Sequence, residues 1–188
     1  MGRAEPPTTA PPTGRVTAPS LVIVNTGDGK GKTTAAIGIV VRAVARGWRV
    51  CVVQFVKAAG WRTGEEAVAR RLGVEWRTTG DGFTWDAEDL ERSAELSREA
   101  WSGAREAIGS EAFDLVVLDE ITYPVDWGWI DPDDVAAAIR QRPQRVNVVI
   151  TGRRAPAPLL DLADTVTEMR NVRHAFDRGV RARRGIDF

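Results

Sequence analysis

The chain has 188 residues, of which 26 are Lys or Arg and 26 are Asp or Glu, so one domain with no net charge is expected. The balanced charge argues against a protein that is held to nucleic acid or to an anionic membrane by bulk electrostatics. A single cysteine, Cys51, and a single histidine, His174, exclude a disulfide framework and any zinc site built from Cys and His within one chain, and they favour the reducing cytoplasm.

The first twenty residues differ in composition from the rest. Residues 1–20 interleave prolines with threonines, a mixture that cannot bury enough apolar surface to offset the cost of ordering. We therefore predict a disordered Pro/Thr-rich tail over 1–20 and a single folded domain over 21–188. No stretch approaches the ~20 apolar residues of a membrane helix, so no membrane association is expected.

Beyond the tail, short apolar runs alternate with helical patterns. Predicted strands cover 21–24, 48–55, 74–78, 113–118, 146–151 and 165–169, and predicted helices cover 32–46, 63–72, 86–108 and 131–142, with a helical turn near Leu159. In the long helix we place Asp86 at the N-cap, and the predicted inward row is Leu90, Ala94, Ser97, Trp101, Ala104 and Ile108. This alternation predicts an α/β fold with a doubly wound, mainly parallel sheet, whose ligand lies at the carboxyl ends of the strands.

A glycine-rich segment joins the first strand to the first helix. It reads Thr26-Gly27-Asp28-Gly29-Lys30-Gly31-Lys32-Thr33-Thr34. Glycines allow backbone N–H groups to turn toward an anion, and the start of the helix adds partial positive charge. We expect Lys32 to reach phosphate oxygens and the Thr33 hydroxyl to bind Mg²⁺. The fold is therefore predicted to be of the P-loop NTPase type (RecA-like), although Thr26 stands where the general pattern has its first glycine.

Two carboxylates and one arginine complete the predicted nucleotide site. Asp119 and Glu120 follow the apolar strand 113–118, where they can hold Mg²⁺ directly or through water. Arg153 follows the strand 146–151 and is a candidate phosphate contact, with a surface arginine as the alternative. These residues would serve a water-activating ATPase or a kinase equally well, so the loop alone does not decide the reaction.

Further motifs resemble the P-loop type of ATP:cob(I)alamin (corrinoid) adenosyltransferase over about residues 21–188. The resemblance rests on the loop and on several later segments, which are 52–55 with Lys57, 82–85 (Gly-Phe-Thr-Trp), 117–120 with 122–123, 150–153, 161–164, 174–177 (His-Ala-Phe-Asp) and 185–187. It implies transfer of the 5′-deoxyadenosyl group of ATP to the Co(I) of a reduced corrinoid, with release of triphosphate, in adenosylcobalamin biosynthesis or salvage. The catalytic residues implied by the resemblance are Lys32, Thr33 and Glu120. Mg²⁺ would stabilise the departing triphosphate.

The resemblance also implies a corrinoid surface and further partners. Phe83 and Trp85 match an aromatic pair that lines the lower face of the corrin and excludes the lower ligand, whereas from composition alone they would pack beneath a loop. An electron-donating reductase and a possible homodimer are implied as well. Family members often carry an amphipathic N-terminal helix over the active site. The proline-rich composition of residues 1–20 does not predict such a helix here.

Two other classes of function remain open from the sequence. A RecA-like ATPase or small-molecule kinase would share the loop and the acidic pair, and a nucleotide-binding regulatory module would need no chemistry. The identity of the phosphate product separates these possibilities, because adenosyl transfer releases triphosphate.

Overall fold

The computed structural model describes residues 14, 16–56, 63–78 and 90–187. Six strands run over Val22–Thr26 (β1), Val50–Gln54 (β2), Glu75–Thr78 (β3), Leu115–Asp119 (β4), Asn147–Thr151 (β5) and Thr165–Glu168 (β6). Six helices run over Lys32–Ala45 (α1), Gly64–Arg71 (α2), Leu90–Gly109 (α3), Thr122–Asp126 (α4), Pro132–Arg140 (α5) and Ala157–Asp161 (α6), and a 3₁₀ turn covers Phe176–Arg178. Apart from α4, the strands and helices therefore follow each other in the order that the sequence predicts.

The strands form one sheet in the order β3-β2-β4-β5-β1-β6. All five pairings between neighbouring strands are parallel, with Val24 of β1 opposite Ile150 of β5 on one side and Val166 of β6 on the other. Parallel strands place all their carboxyl ends at one edge, so the residues after β1, β4 and β5 meet there. This confirms the doubly wound α/β fold of the P-loop NTPase type.

Helices cover both faces of the sheet because alternate strand residues point to opposite sides. On one face, α3 and α5 pack against a cluster that includes Val53, Leu118 and Ile150. On the other face, α1 and α2 pack against Val52 and Val117. The central strands are buried on both sides, which explains their continuous apolar sequences.

Two details of the chain differ from the sequence prediction. Leu90, predicted to face inward from the long helix, is 57% exposed, so this prediction is wrong. The core contacts of α3 come from its second half, around Trp101 and Ile108, and the first residue of the helix lies outside that contact region. Helix α4 was not predicted, because its five residues include Pro124 and are too few to show a period. The predicted N-cap Asp86 lies outside the described residues.

The length and apolarity of the helices also bear on a possible membrane span. Within the described part of the chain, no helix is both long enough and apolar enough to cross a bilayer. Residues 16–19 are exposed and precede the buried Ser20. Most of the predicted tail lies outside the described residues, so its disorder stays a prediction.

Candidate active site at the carboxyl edge of the sheet

The glycine-rich loop joins β1 to α1 at the carboxyl edge of the sheet. Gly27 has φ +94°, and a Cβ atom there would lie 2.5 Å from the backbone oxygen of Met169. A Cβ atom on Gly29 would lie 2.7 Å from the same oxygen, which accepts the Gly29 N–H at 2.6 Å. Both positions require glycine because the segment after β6 crosses directly over the loop.

Lys32, the first residue of α1, folds back onto this loop. Its ammonium group donates hydrogen bonds to the backbone oxygens of Gly27 and Gly29, both at 2.7 Å. Burial lowers the pKa of Lys32, and the positive charge of Arg153 lowers it further, partly opposed by Glu120 and Asp28. The site therefore holds a partly desolvated positive charge that an anion would stabilise.

Asp119 connects the start of α1 to two strands of the sheet. Its Oδ1 atom accepts hydrogen bonds from the hydroxyls of Thr33 (2.9 Å) and Thr151 (2.7 Å), and its Oδ2 atom accepts one from Gln54 Nε2 (2.8 Å). The residue is only 1% exposed. Asp119 is therefore buried next to Thr33, and its hydrogen bond fixes the orientation of the Thr33 hydroxyl.

Glu120 follows Asp119 in a strained backbone conformation. Its φ of +64° lies in the left-handed region, which non-glycine residues occupy at a cost of about 1–3 kcal/mol. The Glu120 N–H donates to the Thr151 hydroxyl at 2.9 Å, and this bond holds the unusual conformation. This backbone conformation turns Glu120 toward the cavity beside the loop, whereas Asp119 remains buried at the edge of the sheet.

A cavity of about 380 Å³ lies over the loop. Among the described residues, its lining from the predicted site consists of Asp28, Gly29, Lys30, Gly31, Lys32, Thr33, Thr34, Glu120 and Arg153. Thr26 and Gly27, predicted to contact the nucleotide, do not line it. The Thr26 hydroxyl instead accepts the Ala155 N–H at 3.1 Å, and Gly27 lies beneath Met169.

The cavity has a second side that the sequence prediction missed. Seven further residues line it, namely Glu65, Tyr123, Asn171, His174, Phe176, Asp177 and Asp187. Most of them belong to segments that carried the family resemblance, such as His-Ala-Phe-Asp, and this was the signal available for finding them. Glu65 gave no such signal, because an acidic residue in the first turn of a helix is common on structural grounds alone.

The oxygen-rich side chains at the loop suit a hard cation such as Mg²⁺. The Thr33 hydroxyl donates its only proton to Asp119, so its oxygen lone pairs are free to bind a cation. No cluster of three or more His, Cys, Asp or Glu side chains in the described ranges is arranged to hold a metal. Mg²⁺ often binds through one or two carboxylates together with substrate phosphates, and Thr33, Asp119 and Glu120 fit that mode.

Phe83 and Trp85 lie outside the described residues, as does Lys57. Helix α3 resumes the described chain at Leu90. Their contact with a corrin therefore stays a prediction.

Comparison with known proteins gives consistent similarities over the folded part of the chain. Residues 19–188 match the family model described as ATP:corrinoid adenosyltransferase BtuR/CobO/CobP. The chain is 45% identical over 168 residues to a corrinoid adenosyltransferase of Escherichia coli K12, covering 89% of this chain and 85% of that protein. It is 44% identical over 168 residues to the corrinoid adenosyltransferase CobA of Salmonella typhimurium LT2, with the same coverage. A corrinoid adenosyltransferase of Pseudomonas aeruginosa is 42% identical over 170 residues, which cover 89% of this chain and 83% of that protein.

Proposed function

The chain belongs to the ATP:corrinoid adenosyltransferase family, and from this membership and the geometry of the cavity we propose which residues bind each substrate. The enzyme transfers an adenosyl group from ATP to a corrinoid in cobalamin biosynthesis. Family membership thus decides between adenosyl transfer and the ATPase or kinase that the loop alone would also permit. ATP and the corrinoid must meet at one site for this reaction, so the site needs room for the triphosphate, for the adenosine and for the corrinoid.

We propose that the triphosphate of ATP lies in the cavity over the loop. The observation that carries this proposal is the hydrogen bond from Thr33 to Asp119, which joins the start of α1 to the acidic end of β4. Lys32 and the N–H groups at the start of α1 supply positive charge to phosphate oxygens. Residues 28–34 and Arg153 surround the same space, as expected of a site for a polyanion.

The proposed reaction is an in-line displacement at the C5′ carbon of ATP. The electron pair of Co(I) forms the cobalt–carbon bond while the C5′–O5′ bond breaks, and its electron pair leaves with the triphosphate. Cobalt is thereby oxidised to Co(III). Because the metal of the corrinoid is the nucleophile, the protein needs no general base, and its task is to hold the reacting atoms about 3–3.5 Å apart.

The protein also has to stabilise charge on the leaving group. Lys32 and Thr33 contact the phosphates in the proposed arrangement, and Glu120 faces the same cavity from a strained backbone. Mg²⁺, when bound by Thr33, Glu120 and, through water, Asp119, would supply further positive charge to the triphosphate. Positive charge that is fixed before the reaction stabilises the leaving triphosphate more as the C5′–O5′ bond breaks.

Several partners belong to the proposal through the family alone. Phe83 and Trp85 would cover the lower face of the corrin and keep its lower ligand away from cobalt. An electron-donating reductase must supply Co(I), since cobalt in the (II) state lacks the nucleophilic electron pair. We propose a cytoplasmic setting, which the single cysteine supports, and a homodimer, which light scattering of the purified protein tests.

The decisive experiment identifies both products of one reaction. Purified protein, Mg-ATP and chemically reduced cobalamin are incubated without oxygen, and phosphate products are separated by anion exchange. Adenosylcobalamin and inorganic triphosphate in equal amounts are expected. ADP with phosphate, or triphosphate without a cobalt–carbon product, would contradict the proposal.

A further inference from the structure

The segment after β6 forms one wall of the cavity, and we call residues 169–187 the second wall. It is attached to the phosphate loop at three points. The Met169 N–H donates to the Thr26 oxygen at 2.8 Å, the Gly29 N–H donates to the Met169 oxygen, and Lys30 forms an ion pair with Asp187. Asp187 also accepts the Arg183 N–H at 2.7 Å. The second wall therefore lies against the first half of the loop, while Lys32 and Thr33 start α1 on the other side.

A compact turn in the second wall fixes the backbone of Phe176. The Phe176 N–H donates to Nδ1 of His174 at 3.1 Å, and the Phe176 oxygen accepts the Gly179 N–H at 2.8 Å. Asn171 Nδ2 donates across the same turn to Asp177 at 3.3 Å. Because both backbone polar groups of Phe176 are bonded, the local structure sets the direction in which its side chain leaves the backbone.

The ring of Phe176 is unusual in this setting. It lines a cavity whose other described residues are mostly charged or polar, and yet it is 74% exposed. Tyr123 is the other aromatic residue described there, but it packs against the core and its ring lies 5.6 Å from that of Trp127. An exposed apolar ring at a polyanion site gains free energy when a planar uncharged group covers it.

We propose that Phe176 is a substrate-binding residue on which the adenine ring of ATP stacks. The inference rests on the proposed location of the triphosphate over the loop, and it assigns the opposite end of the nucleotide. Adenine is planar and uncharged, so its faces gain little from contact with the charged residues of the loop. A phenyl ring provides a flat apolar surface on which adenine can stack. Within the described lining, Phe176 combines an aromatic face with the exposure that stacking requires.

The test compares two ligands that differ only in having the nucleoside. Calorimetric titrations of the full chain use Mg-ATP and inorganic triphosphate with Mg²⁺, without corrinoid. Phe176→Ala should weaken ATP binding about 5- to 150-fold, the equivalent of about 1–3 kcal/mol per stacked base, and should change triphosphate binding less than about twofold. Phe176→Tyr should retain the parental affinity for ATP, and Phe176→Leu should not, because leucine keeps apolar volume without an aromatic face.

Control variants separate this inference from the function on which it rests. Val180→Ala removes another exposed apolar side chain of the second wall that does not line the cavity, and it should bind both ligands as the parent does. Lys32→Ala should weaken both ligands together, and normal binding of both by that variant would contradict the phosphate site itself.

Three results for Phe176→Ala would overturn the stacking proposal while leaving the phosphate site intact. Equal losses of affinity for ATP and for triphosphate would mean that Phe176 maintains the structure of the second wall and does not contact the adenine base. Unchanged ATP binding with a raised corrinoid KM would place the ring against the corrin. Unchanged binding and unchanged KM for both substrates would leave the ring without a substrate contact.

Discussion

Replacing Lys32 with alanine tests the centre of the proposed phosphate site. The substitution removes an ammonium group that donates 2.7 Å hydrogen bonds to the backbone oxygens of Gly27 and Gly29. These bonds hold the ammonium group in the lining of the cavity, where it can also donate a hydrogen bond to a phosphate oxygen. Alanine is well tolerated in helices, so α1 should still form.

The expected loss follows from the partial burial of this charge. A hydrogen bond to a charged group contributes about 1.5–3 kcal/mol, which corresponds to roughly a 10- to 150-fold loss of Mg-ATP affinity. The affinity of the parent should also fall as pH rises through the Lys32 pKa, because the neutral amine no longer attracts phosphate. Burial and Arg153 lower that pKa, so the fall should begin below the pH at which an ordinary lysine titrates, and it should be absent from Lys32→Ala.

The assay combines calorimetric titration with Mg-ATP between neutral and alkaline pH and circular dichroism of the variant alone. Arg42→Ala is a suitable control, since it removes an exposed cation from the last turn of the same helix, away from the cavity. An unchanged fold with weak binding is the expected outcome for Lys32→Ala. Parental affinity in that variant, or an equal loss in Arg42→Ala, would refute the assignment of Lys32 to phosphate.

Four further predictions concern the two carboxylates of the proposed metal site, the core thiol and the corrin. Glu120→Gln should raise the Mg²⁺ concentration needed for half-maximal turnover without loss of thermal stability, and overlapping titrations with the parent would make Glu120 structural. Asp119→Asn should raise it too and should also lower the melting temperature, because an amide cannot accept all three buried hydrogen bonds; unchanged melting would contradict this network. Cys51 is buried with a pKa raised by burial to about 11, so a disulfide reagent at pH 8 should label it only at the rate of unfolding, and rapid labelling of the native protein would be inconsistent with that burial. Phe83→Ala and Trp85→Ala should bind ATP normally but form less four-coordinate Co(II)alamin with Mg-ATP, as read from its spectrum, and parental amounts would assign both rings to packing.

The sequence predicted those parts of the molecule that depend on neighbouring residues. Buried parallel strands are continuous apolar runs, so β2, β4 and β5 could be located from composition alone. The phosphate loop was equally visible, because its glycines and Lys32 stand between a strand and a helix. The end of β4 followed from the same logic, and Asp119 does bond to Thr33.

Features that depend on distant contacts were not visible in this way. Thr26 belongs to the loop by sequence, yet its hydroxyl accepts a hydrogen bond from Ala155, which only the folded sheet brings near. Leu90 fits the helical period, but period says nothing about where along its length a helix meets the core. The second wall has little regular structure, and its contribution to the cavity arises from the links to Gly29 and Lys30.

The link between Lys30 and Asp187 joins residues that are 157 positions apart in the chain. We expect a contact of such long range to close late in folding, because the entropy of closing the intervening chain must first be offset by the sheet. β1 must pair with β5 and β6 before the segment after β6 can reach the loop. During refolding, formation of the sheet should therefore precede the ability to bind nucleotide, so ATP would stabilise the completed enzyme and would not accelerate its early assembly.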